Sequence, residues 1–195
     1  GNILVAYTYD NKPVYAKDLK VEGSLTVLLK DAIKPNLVQT LEGNPAIIHG
    51  GPFANIAHWC SSIVSTKTAM QLADYVITEA GFGAELGAEK FFDIKCRVGE
   101  LTPSKVVLVA TIKALKYHGG CSGSIYDEDF DSLKKGFANL DKHYSNLCKF
   151  GVPVIVCLNK YETDTLEEID VVRQCCNCYN VPFVMCDSYS KGGIG

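Results

Sequence analysis

The chain has 195 residues, of which 47% are apolar and 21% charged, as in an ordinary water-soluble globular protein. No apolar run approaches the roughly 20 residues needed to cross a bilayer, so we expect no membrane role. The formal net charge is −3 and no basic stripe is visible, so a nucleic-acid partner is not expected either.

The nine cysteines favour a reducing cytoplasm over a disulfide framework, because their number is odd. Cys157 and Cys186 lie inside strand-like runs, where cysteine behaves as a small hydrophobic residue. The cluster at residues 175–178 has no second ligand pair at zinc spacing, so no metal site is predicted. The chain starts at Gly1 and stops in a glycine-rich loop, so we expect a segment of a longer protein, cut at both ends.

Six short, β-branched runs predict strands along the chain. They are nearly all apolar without alternation, which is typical of strands buried on both faces of a parallel sheet. In chain order they are residues 3–9, 45–49, 75–79, 106–110, 152–158 and 181–186.

Helical patterns lie between these strands. Residues 127–150 carry apolar side chains at alternating spacings of three and four, with Gly151 and Pro153 as stop signals. A further helix is predicted to start at Thr165, because Glu168 follows at the spacing of a capping box. Another helix is expected over about residues 55–72. The alternation predicts one α/β domain over residues 1–195, with an open, mostly parallel sheet and helices on both faces.

Unusual residues follow five of the predicted strands. Ligands in such sheets bind beyond the carboxyl ends of the strands, so five such segments on one edge predict a binding site. The segments begin at His49, Thr78, Thr111, Asn159 and Asp187.

The loop TEAGFGAELGAEKFF, residues 78–92, is the best candidate for phosphate binding. Gly81, Gly83 and Gly87 let the backbone approach an anion near a helix start. The spacing is neither a dinucleotide GxGxxG nor a Walker A motif. The alternative is a flexible turn with Phe82 packed inward.

Two aromatic residues occupy equivalent corners after the last two strands, Tyr161 in NKYE and Tyr189 in DSYS. Such a pair could hold a flat heterocycle between two rings. NKYE is also similar to the base-reading Asn-Lys-x-Asp loop of GTPases, but Glu162 replaces the aspartate and no phosphate loop is visible upstream.

The corner NPAIIHGGPFANIAHWC, residues 44–60, is predicted to deliver His49 to the same edge of the sheet. Gly50 and Gly51 allow a close turn there, and Pro52 and Phe53 set the corner before the next helix. We expect His58 to hold this corner together, because the two histidines lack the spacing of a shared metal site.

Three long motifs resemble the formate–tetrahydrofolate ligase family: PNLVQTLEGNPAIIHGGPFANIAH, VITEAGFGAELGAEKFFDIKCR and VATIKALKYHGG. The resemblance implies a three-layer architecture like that of P-loop nucleoside triphosphatases. It also implies that formate attacks ATP to give formyl phosphate, and that N10 of tetrahydrofolate then takes the formyl group. ATP would bind with Mg²⁺ on a phosphate loop outside these residues, in a cytoplasmic homotetramer.

By the same resemblance, the formyl-phosphate pocket would be lined by His49, Gly50, Gly51, Phe53, Gly81, Phe82 and Gly83. Tyr161 and Tyr189 match the aromatic positions that stack on the pterin. No side chain is assigned as the acceptor of the N10 proton. The segment is expected to be inactive alone.

The sequence departs from the family pattern at Trp59, where glycine is typical, and at Lys113, where arginine is usual. Tyr161 and Glu162 replace a common Phe-Pro, and Tyr189 replaces a typical tryptophan. Arginine and lysine are not interchangeable where two-pronged hydrogen bonding is needed. The alternative is therefore a non-catalytic folate- or nucleotide-binding relative, or an assembly scaffold.

Overall fold

The structure, a computed structural model, describes residues 1–50 and 60–195. These residues form two compact units, one made of residues 1–50 and 60–79 and the other of residues 80–195. Neither unit contains, within the described ranges, a helix long and apolar enough to cross a membrane.

The first unit consists of two short hairpins and two helices. Strands β1 (Leu4–Tyr7) and β2 (Pro13–Tyr15) pair antiparallel and are followed by helix α1 (Glu22–Leu29). Strands β3 (Asn36–Gln39) and β4 (Pro45–Ile48) form a second antiparallel pair, and helix α2 spans Ile63–Leu72.

The strands predicted at residues 3–9 and 45–49 therefore exist, but each pairs within its own hairpin and not in the parallel sheet. The strand predicted at residues 75–79 is wrong, because this run has no regular secondary structure and exposes Tyr75 and Ile77. β-Branched residues favour a strand only where a neighbouring strand supplies hydrogen-bond partners. Helix α2 begins at Ile63, and the earlier part of its prediction, residues 55–59, lies outside the described residues.

The second unit opens with one continuous helical segment: α3 (Gly87–Lys90), a π-helical turn (Phe91–Cys96) and α4 (Arg97–Gly99). Strands and helices then alternate. They are β5 (Val106–Ala110), α5 (Ile112–His118), α6 (Phe130–Cys148), β6 (Val154–Asn159), α7 (Leu166–Cys178), β7 (Phe183–Cys186), α8 (Ser188–Lys191) and a 3₁₀ turn (Gly192–Ile194).

Strands β5, β6 and β7 form an open parallel sheet in sequential order. Leu108 lies beside Val156, which in turn lies beside Phe183. The predicted α/β fold with an open parallel sheet is thus confirmed. Because the strands are sequential and parallel, their carboxyl ends meet at one edge, and the loops after β6 and β7 start there.

One face of this sheet is buried by helices α5, α6 and α7. Alternate residues of β6 enter the core together with the predicted stripes of α6 and α7. The buried stripe residues include Leu133, Phe137, Leu140 and Leu147 of α6 and Ile169, Val172 and Cys176 of α7. On the opposite face, the side chains of Val107 and Val109 are exposed.

The predicted start of α7 is confirmed in detail. The Thr165 hydroxyl accepts the backbone N–H of Glu168, and the Glu168 carboxylate accepts the backbone N–H of Thr165. The reciprocal pair satisfies two N–H groups that have no partner inside the helix.

Helices α5 and α6 touch backbone to backbone at two glycines. A Cβ added at Gly136 would lie 1.9 Å from the carbonyl oxygen of Leu115, and one added at Gly119 would lie 1.7 Å from that of Ser132. Any larger residue at either position would push the helices apart. This crossing anchors α5, which carries Lys113 and the buried Lys116.

Candidate functional site

Tyr161 lies in the loop that follows β6, at the carboxyl edge of the parallel sheet. Its backbone N–H donates to the Asp164 carboxylate at 2.8 Å, and the Asp164 N–H donates back to the Tyr161 carbonyl at 3.1 Å. The two bonds close a tight turn that fixes the Tyr161 backbone. The Tyr161 side chain remains 39% exposed, so part of its ring is open to a ligand.

Asp164 is buried beneath this turn. Burial raises the pKa of its carboxyl, while the backbone hydrogen bond from Tyr161 lowers it and the charge of Glu168 raises it further. Lys113 and Lys116 act in the opposite direction and favour the charged form. The turn is therefore built around a carboxylate that two lysines of α5 help to keep ionised.

Lys113 and Lys116 are three residues apart on α5, so they share one face of the helix. The Lys116 ammonium pairs with the Glu168 carboxylate at 2.8 Å and also donates to the carbonyl of Asp127 at 2.9 Å. Lys116 thereby joins α5 to the start of α7 and to the segment before α6.

The Lys113 ammonium lies over two tyrosine rings. It is 4.1 Å from the ring centroid of Tyr161 and 4.6 Å from that of Tyr126. Both distances are within the range of a cation–π interaction. Lys113 therefore links the candidate stacking residue to a third aromatic side chain.

Tyr189 lies on α8, directly after the neighbouring strand β7. Its side chain is 83% exposed. Asn159 at the end of β6 lies beside Cys186 at the end of β7, and the Lys160 N–H donates to the Cys186 carbonyl at 2.9 Å. The two candidate aromatics, Tyr161 and Tyr189, thus follow adjacent strand ends, as the sequence predicts.

Asp187 fixes the base of the loop that carries Tyr189. Its buried carboxylate lies 3.0 Å from the Lys191 ammonium and 3.5 Å from that of Lys160. The hydrogen bond from Lys191 lowers the pKa of the Asp187 carboxyl, and the charge of Lys160 adds to the effect. Two lysines therefore hold Asp187 ionised beside the aromatic pair.

The glycine loop at Gly81 and Gly83 leads into α3 in the same unit. A Cβ added at Gly87 would lie 1.8 Å from the Gly81 carbonyl oxygen, so this close approach requires glycine. Phe82 adopts a left-handed backbone with φ of 60°, and its side chain is 72% exposed. The alternative with Phe82 packed inward is therefore wrong.

Glu85 brings a negative charge to this glycine loop. A Cβ added at Gly83 would lie 2.1 Å from a Glu85 carboxylate oxygen, and Glu85 also lies 3.6 Å from the ring of His143 on α6. Because this carboxylate repels anions, a phosphate in the loop requires that Glu85 moves aside or that a cation accompanies the phosphate.

His49 follows β4 in the first unit, and both of its ring nitrogens are engaged. Nε2 lies 2.8 Å from the Ala32 carbonyl, which can only accept, so Nε2 carries the proton. Nδ1 then accepts from the Ser62 hydroxyl at 2.6 Å, and Ser62 caps α2. His49 thus ties a strand end to a helix cap within this unit.

Gly50 has a left-handed backbone with φ of 85°, as expected for a close turn. The other predicted residues of this corner, Gly51 and Phe53, lie outside the described residues, and so do His58 and Trp59. Across residues 1–50 and 60–195, no three His, Cys, Asp or Glu side chains are grouped as metal ligands.

Sequence reasoning did not find Tyr126, Asp164 or the pairing of Lys116 with Glu168. Tyr126 follows no strand, so the rule used for Tyr161 and Tyr189 does not apply to it. The i, i+3 spacing of Lys113 and Lys116 was the available signal, since it places both cations on one helix face.

Comparison with known proteins agrees with the motifs. The family model described as formate–tetrahydrofolate ligase matches residues 1–195. A formate–tetrahydrofolate ligase of Psychrobacter sp. (strain PRwf-1) is 58% identical over 197 aligned residues, covering 100% of this chain and 35% of that protein. One of Pelagibacter ubique (strain HTCC1062) is also 58% identical, over 196 residues and with the same coverage. The chain thus spans about a third of the length of these curated relatives.

Proposed function

This chain belongs to the formate–tetrahydrofolate ligase family, and we propose that it forms the folate and formyl-phosphate side of an ATP-dependent ligase. In the proposed reaction, formate attacks the γ-phosphorus of ATP and ADP leaves. N10 of tetrahydrofolate then attacks the formyl carbon of formyl phosphate, phosphate leaves, and N10 loses its proton to give 10-formyltetrahydrofolate. ATP with Mg²⁺ binds on a phosphate loop supplied by residues outside this chain.

The observation that carries the proposal is the position of Tyr161 and Tyr189 after adjacent parallel strands. A flat pterin needs apolar faces with polar groups at its edge, and exposed tyrosine rings beside Lys160 and Asp187 offer both. By analogy with a nucleobase stacked on an aromatic ring, each tyrosine contributes about 1–3 kcal/mol.

The glycine loop supports the second half of the proposal. Gly81, Phe82 and Gly83 lie in the turn before α3, where an anion can approach the backbone once the Glu85 carboxylate beside Gly83 is moved aside or offset by a cation. A divalent cation bound with the nucleotide would also offset the Glu85 carboxylate in this loop. On the family resemblance alone, His49, Gly50, Gly51 and Phe53 are also proposed to bind formyl phosphate.

Location and assembly are proposed on the same basis. No disulfide joins any of the nine cysteines, all of which the structure describes, and this is usual for a protein of a reducing cytoplasm. A homotetramer with only small-molecule substrates follows from the family resemblance.

The test is an assay of the complete translated protein that contains these residues. Purified protein is incubated with ATP, Mg²⁺, formate and tetrahydrofolate, and 10-formyltetrahydrofolate is followed as its acid-converted methenyl form. We expect product only when all four components are present, and none from residues 1–195 alone. Tetrahydrofolate binding without any turnover would overturn the ligase and favour the non-catalytic relative.

A further inference from the structure

We propose that Lys113 is a positioning residue that orients the Tyr161 ring for tetrahydrofolate by holding it together with Tyr126. The inference rests on the proposed function, because it concerns the folate side of that site. The ammonium centre is 4.1 Å from one ring centroid and 4.6 Å from the other. One cation therefore bridges two aromatic side chains from separate segments of the second unit.

The backbone and the ring of Tyr161 are held by different groups. The turn closed by Asp164 fixes the backbone, and the Lys116–Glu168 pair fixes the helix that follows. Neither set of contacts involves the Tyr161 ring. Lys113 supplies the contact that does, because the attraction depends on the ring presenting its face to the ammonium.

Lys113 has little else to bind in this position. Among the residues that the structure describes, no carboxylate lies within 4.0 Å of its ammonium. The Asp164 carboxylate accepts a hydrogen bond from the Tyr161 backbone. Its attraction to the Lys113 ammonium is a longer-range electrostatic interaction without direct contact. Within residues 1–50 and 60–195, the two rings are thus the closest partners of the Lys113 ammonium.

This geometry decides which face of Tyr161 a ligand can use. The ammonium occupies one face of the ring, so a flat ligand can stack only on the opposite face. Tyr126 shares the ammonium and resists its withdrawal when ligand binds. Loss of the cation would let the Tyr161 ring rotate. Binding of tetrahydrofolate would then include the entropic cost of ordering the ring.

The experiment measures the steady-state kinetics of the complete protein and of two variants. Lys113→Met removes the charge and keeps the aliphatic stem, whereas Lys113→Arg keeps a cation that stacks on rings. Lys142→Met, an exposed change on α6, is the matched control. We expect Lys113→Met to raise the KM for tetrahydrofolate about tenfold, the size expected for losing a partly desolvated cation–π contact. The KM for ATP and the kcat should stay within about twofold, and Lys113→Arg should restore most of the loss.

Tyr126 supplies a second, independent comparison. Tyr126→Phe keeps the ring face and should leave the KM for tetrahydrofolate unchanged, whereas Tyr126→Leu should raise it several-fold. An unchanged KM in both Lys113→Met and Tyr126→Leu, with normal turnover by the parent protein, would overturn this inference alone. A parent protein that neither binds tetrahydrofolate nor forms product would overturn the proposed function and this inference with it.

Discussion

Lys116 and Glu168 form an ion pair in the interior of the second unit, with 2.8 Å between ammonium and carboxylate and side chains only 2% and 1% exposed. Lys116 lies on α5 and Glu168 in the first turn of α7, 52 residues apart in the chain. Glu168 also caps its own helix by accepting the Thr165 N–H. The pair therefore joins two crossover helices directly beneath the turn that carries Tyr161.

Breaking this pair should destabilise the protein severely. Glu168→Leu leaves the Lys116 charge buried with, among the described residues, only the Asp127 carbonyl as a partner, and a lone buried charge costs about 3–5 kcal/mol. Urea unfolding followed by circular dichroism measures the loss. Lys116→Met combined with Glu168→Leu should be much less harmful than either change alone, because an apolar pair removes both charges together.

The exposed pair of Asp31 and Lys34 provides the control for this prediction. Its atoms are 3.0 Å apart, but both side chains are largely in water. Asp31→Asn should therefore change the free energy of unfolding by less than about 1 kcal/mol. An equally small change in the free energy of unfolding on mutation of Glu168 would contradict the conclusion that burial makes its ion pair important for stability.

Gly87→Ala should distort the glycine loop. The new methyl group would meet the Gly81 carbonyl oxygen at 1.8 Å, so either the loop or α3 must shift. We expect a loss of about 1–3 kcal/mol in the free energy of unfolding, typical of overpacking. Ligase turnover should fall as well, if Gly81 lines the formyl-phosphate pocket. Gly123→Ala is the matched control, because a Cβ there meets nothing within 4 Å. Equal effects of the two changes would show that the close approach is unimportant.

Cysteine labelling should separate buried from accessible thiols in the second unit. Burial raises the pKa of Cys176 to about 11, so at pH 8 this thiol is protonated and shielded. The hydrogen bond from Ser188 lowers the pKa of Cys186. Time-resolved alkylation with iodoacetamide, mapped by mass spectrometry, should modify Cys186 well before Cys176. Ser188→Ala should slow the labelling of Cys186 near neutral pH. Rapid labelling of Cys176 in the folded protein would contradict the assigned core.

The acid stability of the protein should depend on Asp187. Its pKa is lowered in the folded state, so its contribution is fully present above the ordinary value of 3.8 and is lost as the pH falls through the lower folded value. Asp187→Asn should therefore lower the melting temperature at pH 7 and flatten the fall in melting temperature below about pH 4. Melting curves collected from pH 7 to pH 2 test this.

The pKa of Asp164 is shifted in the opposite direction from that of Asp187, so Asp164 serves as the internal comparison. Burial raises its pKa, so its ionisation makes folding less favourable as the pH rises above 3.8. Asp164→Asn retains an acceptor for the Tyr161 N–H, and it should reduce this pH-dependent loss. A parallel response of the two asparagine variants to pH would contradict the assigned environments.

The elements that the sequence predicts correctly are those with local signals. The α6 stripe repeats at helical spacing, and the α7 start depends on two residues three positions apart, so both can be recognised without knowing the fold. Strands β5, β6 and β7 are also predicted, because each is a short, β-branched apolar run between helical patterns. Such patterns depend on neighbouring residues alone.

The errors concern partners that are distant in the chain. The run at residues 75–79 has strand composition but no adjacent strand among the described residues, and β4 pairs with β3 instead of entering the parallel sheet. The bridge from Lys113 to Tyr126 and Tyr161 likewise joins segments whose proximity only tertiary structure reveals. The sequence could place Tyr161 and Tyr189 at an edge, because that step needs only the rule for parallel strands.

Tyr161 and Tyr189 should both bind tetrahydrofolate by stacking. Tyr161→Ala and Tyr189→Ala should each weaken tetrahydrofolate binding, because each removes one stacking face worth about 1–3 kcal/mol, or roughly 5- to 150-fold in Kd. Tyr161→Phe and Tyr189→Phe keep the rings and should bind nearly normally. Isothermal titration with tetrahydrofolate and with ATP separates the two ligands.

ATP binding is the decisive comparison, since the proposed phosphate loop lies outside this chain and neither tyrosine contributes to it. The Kd for ATP should therefore stay within about twofold in all four variants, a change of less than about 0.5 kcal/mol. An equal loss of both ligands in the alanine variants would point to unfolding of the β6 and β7 edge. Loss of tetrahydrofolate in the phenylalanine variants would instead show that the hydroxyl groups bind the ligand and that stacking does not carry its affinity.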